Sequence, residues 1–204
     1  MRLGLIGPLL SLLVWVCACA GPTSTATVVP ATSPVEEADA TTLTVRADCS
    51  GATRCYESIT AAMAAAQPGE TVLVAAGSYR ETVTFGQPDV TLRGSGAPEY
   101  RAGALVGGTL IVGSIDCAGQ PGANVLDLGV SASPSSADAI RSGPPRSEGI
   151  VRQRFANLAL LGGGFDARSH ALLCQSGAGV EVRDVRLYAW YHGLALKCND
   201  ATVS

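Results

Sequence analysis

Residues 69–96 read GETVLVAAGSYRETVTFGQPDVTLRGSG, and the spacing of apolar runs and glycines in this stretch sets the fold class. Thr71 to Ala75 is a β-prone run ended by Gly77. Thr82 to Phe85 is a second, ended by Gly86 and Pro88, and Val90 to Arg93 is a third, ended by Gly94 and Gly96. Strands of about four or five residues broken by tight corners predict an all-β fold with many bends. Upstream the period changes. From Tyr56 to Ala66 the apolar residues Ile59, Ala62, Met63 and Ala66 recur at helical spacing, and Gln67, Pro68 and Gly69 stop the helix.

The order of these parts carries a resemblance. The helix with Ile59 and its alanine run comes first, followed by Gly69 to Val74, the corner Gly77-Ser78-Tyr79-Arg80-Glu81, and Val90 to Gly96. Together they resemble the first turn of the pectin-lyase-like right-handed parallel β-helix superfamily, especially that of pectin methylesterases and bacterial surface β-helix proteins. The resemblance covers about 40 residues. It implies a right-handed parallel β-helix, a solenoid whose open end is closed by a short N-terminal capping helix.

An internal repeat in the last third points the same way. Phe155 to Leu160 aligns with Val182 to Leu187, with Asn157 opposite Asp184, and Leu172 to Cys174 aligns with Leu196 to Cys198. A repeat of short strands and corners reads as one solenoid coil per repeat. The alignment places Cys174 and Cys198 in adjacent coils, either as a disulfide or as two stacked core thiols. Residues 118–148, with Ser131 to Ser136 and the Gly143-Pro144-Pro145 corner, read as an excursion loop between coils. The chain stops at Ser204 inside an apparent strand with no polar cap. The expectation is an incomplete solenoid, the alternative a last coil covered by dimerisation.

The N-terminus is an address. Arg2 followed by the apolar run Leu3 to Val16 is too short to span a bilayer, which takes roughly 20 residues, and reads as a signal peptide over residues 1–18. Two processing readings stay open. Val16-Cys17-Ala18-Cys19 resembles a bacterial lipobox that would acylate Cys19, and Ala18-Cys19-Ala20 fits ordinary signal peptidase. Residues 19–43 are rich in Pro, Thr, Ser and Ala and read as a disordered tether, with the β-helix domain over 44–204. The expected location is extracytoplasmic, on a bacterial cell surface by a lipid anchor or secreted. In an oxidising compartment Cys49 and Cys55 form the expected disulfide, and Cys117 is the expected unpaired thiol.

Composition narrows the rest. Gly 24 and Pro 11 against 5% aromatic and 15% charged residues exclude a helical bundle, and 47% hydrophobic residues exclude disorder throughout. The formal charge is -3 and the basic residues are scattered in sequence, which argues against a nucleic-acid partner.

The chemistry-bearing stretch is residues 183–193, where Arg186, Tyr188, Trp190, Tyr191 and His192 cluster. Aromatic rings stack on sugar faces while Arg and His bond hydroxyls or carboxylates, so these five are the candidate carbohydrate-binding residues. A structural reading stands beside it. Trp190 and Tyr188 plug the coil, Asn157 and Asp184 form a ladder of corner side chains, and His170 lies near His192 in an adjacent coil. In the resembled superfamily, esterases use two Asp, an Arg and Gln residues, and lyases use clustered carboxylates for calcium. Neither pattern is found, since Asp166, Asp184 and Asp200 stand singly on different coils. No metal site and no cofactor is expected. The expected function is an exported, lipid-anchored β-helix protein binding polysaccharide, a cell-surface glycan or another surface ligand, attached to the membrane through the N-terminal lipid. The alternatives are a polysaccharide lyase or hydrolase of the same fold, or an adhesion or structural spacer.

Overall fold

A computed structural model of the chain describes residues 41–132, 138–143, 152–162, 170–175, 179–188, 190, 192–197 and 201–204, the side chains of Gln175 and Lys197 excepted. The glycine-punctuated runs become short strands: β1 (Thr42–Val45), β2 (Cys55–Tyr56), β3 (Thr71–Val74), β4 (Gly77–Tyr79), β5 (Thr82–Thr84) and β6 (Thr91–Gly94). Then come β7 (Glu99–Arg101), β8 (Ala104–Val106), β9 (Thr109–Val112), β10 (Ser114–Asp116), β11 (Asn124–Ser131) and β12 (Asp138–Arg141). The last are β13 (Gln153–Leu161), β14 (His170–Gln175), β15 (Val180–Tyr188), β16 (His192–Lys197) and β17 (Ala201–Val203). The one helix among the described residues is α1 (Ile59–Ala65).

The fold is mostly β, with long parallel sheets. A 10-stranded sheet runs β17-β15-β13-β11-β6-β3-β1-β2, with β9 also paired to β11 and β4 to β9. A 5-stranded sheet runs β16-β14-β12-β10-β5. From β10 onward the chain visits the two sheets alternately, so each strand pairs with strands two places away in chain order. Among the described residues only β7 and β8 pair antiparallel, as a hairpin.

Register builds the core. Leu43, Val72, Leu92, Val125, Phe155 and Val182 stand in line across the larger sheet, all buried. Val83, Ile115, Ile140 and Leu172 do the same in the smaller one, and both rows belong to one hydrophobic cluster. Each such side chain contributes about 1.5–3 kcal/mol by leaving water. The repeat read between 155–160 and 182–187 is the observed register, Phe155 facing Val182 and Leu160 facing Leu187.

The helix is shorter than its period suggested. Tyr56 is drawn into β2 beside Val45, so α1 starts at Ile59 with Ser58 as its cap, the Ser58 hydroxyl accepting the Ala61 N–H at 3.2 Å. Ile59, Ala62, Met63 and Ala66 are all buried, as the stripe predicted. The Glu81 carboxylate accepts the N–H groups of Ile59 at 3.1 Å and Thr60 at 2.8 Å, so the corner glutamate closes the helix start. Cys49 and Cys55 are joined across the loop between β1 and β2, with Cα atoms 5.4 Å apart.

Three expectations need correction. Residues 118–148 are not one excursion, because they contain β11, central in the larger sheet, and β12. Among the described residues, the β7–β8 hairpin is the part that stands outside the two large sheets, in a stretch the sequence left unassigned. Cys174 faces Leu196 and Leu172 faces Leu194, two residues off the aligned register. A slip of two preserves the inward–outward alternation, so periodicity alone cannot detect it. Lastly, β1 begins at Thr42 and Leu43 is buried, so the ordered fold takes in residues placed at the end of the tether. Cys174 is disulfide-bonded, whereas Cys117 is a free, buried thiol whose pKa burial and the neighbouring Asp116 push well up. Cys19 and Cys198 lie outside the described residues.

Candidate functional site

The alternation that buries Phe155 and Val182 turns their neighbours outward. One outward row runs Thr91, Asn124, Arg154, Glu181 and Thr202, the next Arg93, Leu126, Ala156 and Arg183. Arginines far apart in sequence therefore gather on one face of the larger sheet. Asn124, Arg152, Arg154, Glu181, Arg183 and Thr202 line an open depression there. Glu181 Oε2 lies 3.8 Å from Arg154 Nε, and its Oε1 contacts Arg183 Nε. Both guanidinium side chains stay about half exposed, at 48% and 52%. Below them Gln153 is buried and donates to the Gln120 carbonyl at 3.1 Å, which gives the depression a bonded floor. Three arginines and one glutamate leave it with a local positive excess on a chain whose overall charge is -3.

Next to this face the larger sheet bends at a ladder of polar corners. Asp127, Asn157 and Asp184 occupy successive strands with φ of 56°, 51° and 49°. Asn157 Nδ2 donates to Asp127 Oδ1 at 2.9 Å, and Arg93 Nε donates to Asp127 Oδ2 at 2.7 Å. Asn157 and Asp184 do stand at corners of neighbouring strands, but the side-chain bond of Asn157 goes to Asp127 and not to the backbone groups expected. Asn157, Asp184, Arg186 and Ser204 line a second shallow depression.

The five residues singled out from 183–193 are divided by the structure. Arg186 and Tyr188 lie two apart on β15, and the Tyr188 ring stacks on Tyr100 of the β7–β8 hairpin at 4.4 Å and 11°. Trp190 packs against the core and donates its indole N–H to the Leu160 carbonyl at 3.0 Å. His192 begins β16 in the other sheet, facing His170, with rings stacked at 5.3 Å, and His170 Nδ1 lies 2.9 Å from Asp138 Oδ1. Tyr191 lies outside the described residues, as do Asp166 and Asp200. Among the described residues no group of three or more His, Cys, Asp and Glu could hold a metal ion.

Sequence reasoning missed Arg152, Arg154, Glu181 and Tyr100. The first three carried a usable signal, since they flank the aligned Phe155 and Val182 at outward positions of the same repeat. Tyr100 carried none, because only the fold lays its hairpin against β15. Comparison with protein-family models, curated proteins and solved structures found no match for the chain.

Proposed function

We propose that the chain is an exported, lipid-anchored right-handed parallel β-helix that binds acidic polysaccharide along the arginine face of its larger sheet. The reading rests on one observation above the others: Arg152, Arg154 and Arg183 share an open depression with Asn124 and Thr202. Guanidinium groups bond carboxylates through paired N–H donors, while amide and hydroxyl neighbours suit sugar hydroxyls. The alternation of strands between two parallel sheets and the aligned apolar rows are what stacked coils produce. The Cys49–Cys55 disulfide suits an oxidising compartment, and no helix among the described residues is long and apolar enough to cross a membrane. Acylation at Cys19 would hold the domain to the membrane by the stretch of chain between that residue and β1.

Retention of the full-length chain on polygalacturonate tests this reading. The Arg154→Ala/Arg183→Ala double variant should lose at least about tenfold in affinity, equivalent to ~1.4 kcal/mol. Unchanged retention by the double variant removes the assignment. Scoring reducing and unsaturated ends in the same incubation separates binding from cleavage by an enzyme of this fold.

A second reading has its own observation. Tyr100 keeps 41% of its surface exposed while stacked on Tyr188, with Arg186 on the same strand as Tyr188. That pair offers an aromatic platform for a sugar ring, and loss of neutral-glycan retention in Tyr100→Ala would support it. Trp190→Ala is a poorer probe, because it also removes a core contact and a hydrogen bond.

A further inference from the structure

Glu181 is the one acid among the described residues that line the arginine depression, and it lies between Arg154 and Arg183. It faces Arg154 on the neighbouring strand and stands two residues before Arg183 on its own. Both of its contacts go to the Nε edge of a guanidinium, 3.8 Å from Arg154 and closer to Arg183. An arginine engaged at Nε still has its terminal Nη donors for a ligand. Glu181 Oε1 is shielded from solvent and makes no well-aligned hydrogen bond, while the side chain as a whole keeps 35% of its surface exposed between the two arginines. Of the three arginines lining the depression, Arg154 and Arg183 thus flank a negative charge that contacts both.

We propose that Glu181 is a positioning and selectivity residue. It holds Arg154 and Arg183 with their free donors outward, and its charge rejects chains dense enough in anionic groups to place one over it. This rests on the reading of the face as an acidic-polysaccharide site. A ligand with one carboxylate per sugar can seat its charges over the arginines and a neutral stretch over Glu181. A heavily sulfated chain has no neutral stretch to offer, and like charges in close contact are disfavoured on both sides of an interface. Removing the negative charge therefore changes which polyanion binds, not merely how tightly.

The test compares native protein, Glu181→Gln and Glu181→Asp for affinity to polygalacturonate and to dextran sulfate, at one fixed ionic strength because these contacts are screened by salt. Thermal unfolding of each variant checks that it folds. Native protein should prefer polygalacturonate. Glu181→Gln should shift the affinity ratio at least about fivefold toward dextran sulfate, and Glu181→Asp, which keeps the charge, should retain most of the native preference. If both polymers bind, the arginine double variant abolishes binding, and Glu181→Gln leaves the ratio within about twofold of native, the Glu181 assignment is overturned while the arginine face stands. If native protein ignores polygalacturonate, or the double variant binds it unchanged, the arginine face and the role of Glu181 fall together. An equal shift in Glu181→Asp and Glu181→Gln would assign the effect to side-chain length and overturn the charge argument.

Discussion

At the residue scale, single polar side chains serve the corners within strands and the ends of the helix. Asp127, Asn157 and Asp184 adopt left-handed backbone that side chains with a β-branch rarely take, and Asn157 and Asp127 bond each other across the strands. Glu70 does comparable work after α1. It accepts the Gln67 N–H at 2.7 Å and pairs with Arg54. The Gln67 hydrogen bond first, and Arg54 second, hold its carboxyl below the usual glutamate range. A depressed carboxylate pKa stabilises the fold above the unfolded-state value, about 4.3, and that stabilisation is lost as pH falls through the lower folded value. Native protein should therefore lose denaturant resistance as pH drops from about 5 to below 4, and Glu70→Gln should show a shallower loss. Equal pH slopes in urea titrations of the two proteins would mean that Glu70 contributes nothing to acid sensitivity.

At the element scale, the β7–β8 hairpin lies over the larger sheet because the sheet leaves room for it. Gly129 on β11 has Pro98 directly above it, and a Cβ there would stand 2.3 Å from Pro98 Cγ. Its register partner Ala159 is small and wholly buried. From this seat the hairpin delivers Tyr100 onto Tyr188. Gly129→Ala should displace the hairpin and cost about 1–3 kcal/mol by overpacking. The near-UV circular dichroism of the stacked tyrosines should weaken with it. A variant with native melting temperature and native near-UV signal would show that the hairpin yields freely and that Gly129 does not define its position.

At the scale of the whole molecule, stability is spread along the aligned apolar rows, with no large aromatic centre to concentrate it. Phe85 and Phe155 are the large buried aromatics among the described residues, and Phe155 stands in line between Val125 and Val182. Neighbours on both sides are held by strand hydrogen bonds and cannot collapse into the space it would leave. Phe155→Ala should cost about 3–5 kcal/mol, read as a lowered urea midpoint with an unchanged slope. A loss below about 1 kcal/mol would mean that the rows repack around the gap. The same row geometry serves the outer surface, since inward alignment of Phe155 with Val182 obliges Arg154 to face Glu181.

The amino-acid sequence by itself determined the local grammar of the protein. The strands at β3, β5 and β6, the stripe on α1, the repeat that aligns Phe155 with Val182, the corner residues Asn157 and Asp184, and the Cys49–Cys55 pair all follow from spacing and residue type over short distances. Periodicity repeats every two residues in a strand, so it states which side chains face inward but not which strand or rung they face. Tertiary structure decided those pairings. It set Cys174 opposite Leu196, made strands of residues read as a loop, laid Tyr100 on Tyr188 and divided Tyr188 from His192 between two sheets. It also assembled the arginine face from residues scattered through a chain of net negative charge. Register between distant strands is settled by the sum of many core contacts, and no single stretch of sequence contains that sum.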